Sequence, residues 1–145
     1  MYKRQNIILT GGVDDIWQDT KTGDLIVADY KSQANFKPLD PDSYLSDVYH
    51  EGYKVQMDFY AFLLKEMGFS VGSTAYFLVC NADRGAEGFF GKMSFSETLI
   101  PYEWDSSWIP KQIDMMISTM NSTSIPNSHP SCKNCAYANQ RSQFQ

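Results

Sequence analysis

The chain has 145 residues, enough for one domain with a core of its own, and its 43% hydrophobic and 14% aromatic content excludes a disordered polymer. No apolar run approaches the roughly 18 residues of a transmembrane helix. The net charge of −5, with a pI near 4.8, has the wrong sign for a domain that grips nucleic acid by charge alone. The first residues lack the apolar core of a secretory signal. Three cysteines, two of them as Cys132-x-x-Cys135, do not make a secreted disulfide framework, so a cytoplasmic protein is expected.

Residues 1–5 are short and polar, and they are read as a non-native start to a reading frame cut at its left end. Residues 6–10 lead as a strand into two β-like runs, 11–18 and 24–31. Between them lies Thr20-Lys21-Thr22-Gly23, which makes the pair a β-hairpin. Residues 32–46, broken by Pro38 and Pro41, read as a loop. A helix is expected over 47–67, because Val48, Val55, Phe59, Phe62, Leu63 and Met67 recur at helical spacing. Ser46 or Asp47 would cap its start and Gly68 its end. Gln56 and Tyr60, four apart, share one face.

Residues 73–80 (STAYFLVC) form an apolar strand fit for a sheet centre, with Cys80 as a small buried side chain. A loop over 81–88 precedes two further strands, 88–95 and 97–102. A helix is expected over 108–120, with Pro110 in its first turn and Ile109, Ile113, Met116, Ile117 and Met120 on one side. Residues 121–145 read as a polar tail. The expected layout is a domain over 6–130 and a tail over 131–145 carrying the cysteine pair.

The chemistry concentrates in the hairpin. Residues two apart on a strand point the same way, so Asp29 and Lys31 project together while Tyr30 projects opposite. Asp14 on the neighbouring strand brings a second carboxylate to the same edge. Two adjacent carboxylates repel unless a cation lies between them. A hard divalent ion such as Mg²⁺ takes oxygen ligands, often only one or two carboxylates with several waters, and the Tyr30 carbonyl could add another oxygen. A lysine beside it can orient a water or stabilise charge developing on phosphate. The plainer reading is a solvated Asp–Lys pair at a strand end. For an isolated D-x-K that reading is the commoner outcome; the hairpin and Asp14 weigh against it.

Gly11-Gly12-Val13-Asp14, then Asp29-Tyr30-Lys31, then Gln56-Met57-Asp58-Phe59-Tyr60 form a series G-x-x-D, D-x-K, Q-x-x-x-Y. In order and spacing, over residues 11–137, it resembles the RecB-like branch of the PD-(D/E)XK nuclease superfamily. That branch includes nuclease domains of helicase–nucleases and of CRISPR-adaptation exonucleases. Each motif is weak alone, and the three in order are fairly specific. The resemblance implies an α/β fold with a restriction-endonuclease-like core, a mixed central β-sheet flanked by helices. It implies that Asp14 and Asp29, helped by the Tyr30 carbonyl, ligate Mg²⁺ or Mn²⁺. Lys31 would position the attacking water, Gln56 would hold Lys31 or that water, and Tyr60 would lie near the DNA. Asp15, where the branch often has a basic residue, is taken as a solvated neighbour.

Two departures qualify the likeness. The branch usually carries a His or Glu on a helix before the hairpin, and about ten residues cannot supply one. The domain is therefore expected to lack its first helix. Some relatives also hold a [4Fe–4S] cluster with one upstream cysteine and a C-terminal C-x₂-C-x₅-C. Here Cys132 and Cys135 begin that pattern, Arg141 stands at its last position and no upstream cysteine exists, so a cluster is not expected. Zinc on Cys132, Cys135 and His129 would want a fourth ligand; a metal-free relic is the simpler reading. His50 is expected on the polar side of the long helix, facing solvent. Trp104 and Trp108 are expected to pack rather than to stack on bases.

The expected function is Mg²⁺-dependent hydrolysis of DNA by an exonuclease of recombination, repair or phage type, within a helicase or larger nuclease assembly and away from membranes. One alternative keeps the fold without the catalysis, as a DNA-binding or scaffold module. Another is a small structural domain with no metal site.

Overall fold

The computed structural model describes residues 2–4 by backbone and residues 7–144 in full. Met1, Gln5 and Asn6, which the sequence reading places in a cut N-terminus and the first strand, lie outside the described residues. The chain divides into two compact units, Met1–Ile109 and Pro110–Gln145.

The first unit opens with a small antiparallel pair, β1 (Tyr2–Arg4) and β2 (Ile7–Leu9). Its main element is a four-stranded mixed sheet in the order β3-β4-β5-β6, with β3 at Asp15–Gln18, β4 at Leu25–Asn35, β5 at Thr74–Asp83 and β6 at Phe95–Glu103. The predicted hairpin is β3–β4, antiparallel, with Asp15 opposite Ala28. Its turn is closed by the Asp19 carboxylate, which accepts from the Lys21 amide at 2.7 Å. Strands β4 and β5 are parallel, and β5 and β6 antiparallel. The apolar 73–80 segment is therefore central, as its composition implies.

The parallel pair is joined through α1 (Pro41–Tyr44), a single turn capped by Asp40, a 3₁₀ turn at Val48–His50, and the long helix α2 (Glu51–Glu66). Asp47 caps the 3₁₀ turn rather than the α-helix, accepting from the Tyr49 amide. Gly68 ends α2 at φ 90°, a conformation that a side chain would resist. The helix buries Met57, Tyr60, Ala61 and Leu64 against Val27, Ala75, Phe77, Val79 and Ile100 of the sheet. Phe77 and Met57 are fully buried, and each such side chain contributes about 1.5–3 kcal/mol by leaving water. Val48, Val55 and Met67, counted in the expected stripe, are exposed. The true stripe is rotated toward Met57 and Ala61.

Four further expectations are corrected. Residues 32–35 continue β4, because parallel pairing with Cys80 to Asp83 overrides their polar composition. Residues 88–94 form no strand; Phe90 at φ 34° and Gly91 at φ 73° make a turn there. Cys80 is half-buried, since the strand alternation turns Val79 and Asn81 inward instead. His50 precedes α2 and does not face solvent, as its ring stacks 4.1 Å from Tyr44 and 5.0 Å from Tyr53.

In the second unit, α3 (Ile109–Met120, its first residue closing the first unit) places Ile109, Ile113 and Ile117 on one stripe, while Met116 and Met120 are exposed. The expected polar tail contains a helix, α4 (Lys133–Arg141), capped by the Cys132 sulfur, and a 3₁₀ turn at Ser142–Phe144. Among the described residues, no helix is long and apolar enough to cross a membrane.

Candidate active site

One face of β4 runs from core to site. Val27 is buried against Met57 and Phe77, Asp29 follows at 0% exposure, Lys31 is mostly covered, and Gln33 is half-buried. The same two-residue period that packs the core thus delivers a carboxylate and then an ammonium at its rim. Tyr30 points the other way, where its hydroxyl donates to Asp15 at 2.6 Å. That bond, with a second from the Trp17 indole, holds the Asp15 carboxyl below its ordinary range. Asp15 is therefore a hydrogen-bonded member of the opposite face rather than a merely solvated neighbour.

Asp29 is costly. Its carboxylate is buried, with Oδ2 against the Lys31 ammonium and Oδ1 without a hydrogen-bond donor. Burial pushes its carboxyl above the ordinary range; Lys31 opposes the rise, and the neighbouring Asp14 carboxylate adds to it. Asp14 sits just before β3, exposed, with Oδ2 accepting from the Tyr30 amide at 3.0 Å. The backbone of the D-x-K segment thus aims the second carboxylate.

Lys31 is held from three sides. Beyond Asp29, its ammonium donates to Gln56 Oε1 at 3.1 Å and lies 4.5 Å from the centre of the Tyr53 ring. Gln56 Nε2 donates onward to the Tyr60 hydroxyl at 2.9 Å. A lysine offers only donors, so the amide oxygen must face it and the amide nitrogen must face Tyr60. Tyr60 is itself only 8% exposed. It stands behind Gln56. The ring packs on Gly11, where an added Cβ would come within 2.7 Å of Cε1.

The hairpin and α2 therefore bring together Asp14, Asp29, Lys31, Gln56 and Tyr60. Tyr53 is the member that sequence reasoning missed; its signal was its place one turn before Gln56, three residues away. Asp58 was missed as well. It is buried on α2 and accepts from Tyr102, the Asp105 amide and the Trp108 indole. Trp108 and Trp104, whose indole donates to the Gly72 carbonyl at 2.6 Å, pack as expected.

The chemistry suits a hard cation in one respect: a buried carboxylate with one unmet oxygen stands beside a second carboxylate, the oxygen set such an ion takes. Among the described residues, no three His, Cys, Asp or Glu side chains converge. The set is limited to the two aspartates and backbone oxygen. In the second unit, the Cys132 and Cys135 sulfurs are 3.1 Å apart as free thiols. His129 is turned to Ser131 at 2.7 Å instead of joining them.

A family model described as the PD-(D/E)XK nuclease superfamily matches residues 2–140. No curated protein and no solved structure matches the chain.

Proposed function

The chain belongs to the PD-(D/E)XK nuclease superfamily, and from that membership we propose that it is a divalent-metal-dependent deoxyribonuclease acting at the corner formed by Asp14, Asp29 and Lys31. The observation that carries the reading is the buried Asp29 carboxylate, ion-paired to Lys31 through Oδ2, with Oδ1 lacking a donor and a second carboxylate beside it. Burying a carboxylate with one oxygen unmet and a like charge nearby is costly, and a metal cation would satisfy that oxygen.

Asp14, Asp29 and the Tyr30 carbonyl are the residues assigned to Mg²⁺ or Mn²⁺. When bound, the ion supplies Lewis acidity toward the phosphate and the attacking water. Lys31, fixed by Gln56 and Tyr53, orients that water and stabilises charge developing on the phosphate. Gln56 and Tyr60 are positioning residues that keep the lysine aimed. Water oxygen forms the new bond to phosphorus, the ester P–O bond breaks, and the departing oxygen takes up a proton. Kinship with the RecB-like branch, exonuclease action in recombination, repair or phage biology, a helicase or nuclease-assembly partner and a cytoplasmic setting belong to the same reading.

The test is cleavage of labelled single- and double-stranded DNA with Mn²⁺ and Mg²⁺, comparing wild type with Lys31→Ala. Metal-dependent cutting that the variant lacks is the expected result. Cutting that survives in the variant would overturn the site. One observation favours a second reading, a DNA-binding or scaffold module without catalysis: no third acidic or histidine ligand converges among the described residues. Metal-dependent thermal stabilisation without cutting by the wild type would point there.

A further inference from the structure

Beyond Lys31, the same face of β4 continues through Gln33 to Asn35, a path of about 20 Å from Asp29 at ordinary strand rise. Gln33 donates to the buried Asn81 at 3.2 Å, so the path is floored by amides rather than by apolar groups. Beside it lies a cavity of about 400 Å³ that includes Gln33, Asn35, Lys37 and His50. A second, of about 310 Å³, shares Asn35 and Lys37 with it and adds Phe36 and Phe95. A third, of about 470 Å³, shares Asp83 and Ser94 with the second and is walled by Phe89, Phe90 and Lys92.

The far end of this track is aromatic and open. Phe36, Phe89, Phe90 and Phe95 are 67%, 68%, 86% and 56% exposed. The Arg84 guanidinium lies 5.1 Å from the Phe36 ring. Phe90 holds its backbone at φ 34°, a region that bulky residues rarely enter. Strain of this kind persists where the surroundings impose it and clusters at functional positions. Burial does not explain it here, because the ring is in water.

Charge is a weak handle here: Lys37 and Lys92 share these cavities with Asp40, Asp47 and Asp83, and the whole chain is acidic. What the track offers is π-faces and amides. Bases stack on exposed aromatic rings with little regard to sequence, but only when they are already unstacked from a duplex. We propose that the amide path along β4 and the Phe36–Phe89–Phe90–Phe95 cluster bind an unpaired nucleic-acid strand by base stacking and lead it toward Asp29. The proposal rests on the nuclease reading for what happens at the Asp29 end of the track.

The experiment measures anisotropy of a fluorescent oligodeoxythymidine and of a duplex of equal length on the full chain, in EDTA so that nothing is cut. Wild type should prefer the single strand, with a shallow salt dependence. Phe89→Ala with Phe90→Ala should weaken single-strand binding by about fivefold or more per ring, the range expected for lost base stacking. Phe90→Trp, which keeps a π-face, should retain it, and circular dichroism should show all variants folded, because these rings are exposed. Equal affinity for duplex, or unchanged binding in the double alanine variant, overturns the proposal and leaves the cluster as a protein-contact face. Phenylalanine-dependent binding by a protein that cuts nothing supports this track while removing the nuclease reading. Cutting with phenylalanine-independent binding removes only the track.

Discussion

A methyl group built on Gly11 would stand 2.7 Å from Cε1 of Tyr60, closer than any real carbon–carbon contact. The glycine of the G-x-x-D segment is therefore a seat for the tyrosine of the helix, and that tyrosine anchors the Gln56 amide. The Tyr60 ring is buried and cannot swing into solvent without opening the core. Gly11→Ala is expected to cost about 1–3 kcal/mol, the usual range for overpacking, and to lower cleavage by displacing Tyr60. Urea unfolding checks the first part and single-turnover cleavage the second. An unchanged midpoint with unchanged rate would show that the hairpin yields freely and that the contact matters to neither.

Gln56 connects Lys31 to Tyr60 and touches neither carboxylate by any described hydrogen bond. Gln56→Ala should leave metal-dependent stabilisation in place and reduce the rate about 10–100-fold, as losses of ligand-orienting partners commonly do. Tyr60→Phe keeps the ring on Gly11 and loses only the acceptor for Gln56, so its effect should be smaller and in the same direction. Thermal shifts with Mn²⁺ beside the rates separate the two roles. Loss of the metal shift in Gln56→Ala would place Gln56 at the cation itself.

Much of this site was legible because strand and helix periods are rigid. The two-residue period put Asp29 and Lys31 together and Tyr30 opposite, and the spacing of four put Gln56 beside Tyr60 on α2. What escaped depends on partners distant in sequence. Residues 32–35 are polar and near Pro38, and only pairing with β5 makes them strand. The aromatic 88–95 segment has β-like composition, yet Gly88 and Gly91 surround a turn there. The tail's α4 has its less polar residues, Cys135 to Ala138, in one consecutive run rather than at helical spacing, so no apolar stripe announced it. Asp58, between Met57 and Phe59, gave no local sign that Tyr102 and Trp108 would converge on it.

The raised carboxyl of Asp29 has a defined sign in stability. Its ordinary value is 3.8, and burial lifts it in the folded state. Between the unfolded and folded values, the native protein binds more protons than the unfolded chain. This group's contribution to the metal-free protein is therefore most favourable at low pH and is lost as pH rises through the folded value. A cation competes with that proton, so stabilisation by Mn²⁺ should grow with pH over the same window. Asp29→Asn should remove both the pH-dependent loss and the Mn²⁺ response. Melting temperatures across pH, with EDTA and with Mn²⁺, test this. A wild type indifferent to Mn²⁺ at every pH, or an Asn variant that still responds, would falsify the assignment.

Asp58 separates the integrity of the fold from the chemistry of the site. Its two oxygens collect three donors: Tyr102 at 2.9 Å, the Asp105 amide at 3.0 Å and the Trp108 indole at 2.9 Å. Together they tie α2 to the end of β6 and to the segment that follows it. Burial and this carboxylate also push the Tyr102 hydroxyl well above its ordinary range, so it remains a donor at any working pH. Asp58→Ala would strand three donors near the core and should destabilise the protein by about 3–5 kcal/mol, as when one partner of a buried charged network is removed. Asp58→Asn keeps one oxygen, but its amide brings two hydrogens toward donors that already point inward, so it should recover only part of that loss. Because Asp58 lies on the far side of α2's buried face from Lys31's partners, the folded Asn variant should keep its Mn²⁺ shift. Urea midpoints with and without Mn²⁺ read both quantities at once. A variant as stable as wild type would mean that water replaces the carboxylate, and a lost Mn²⁺ shift would mean that this latch sets the position of the Gln56 face.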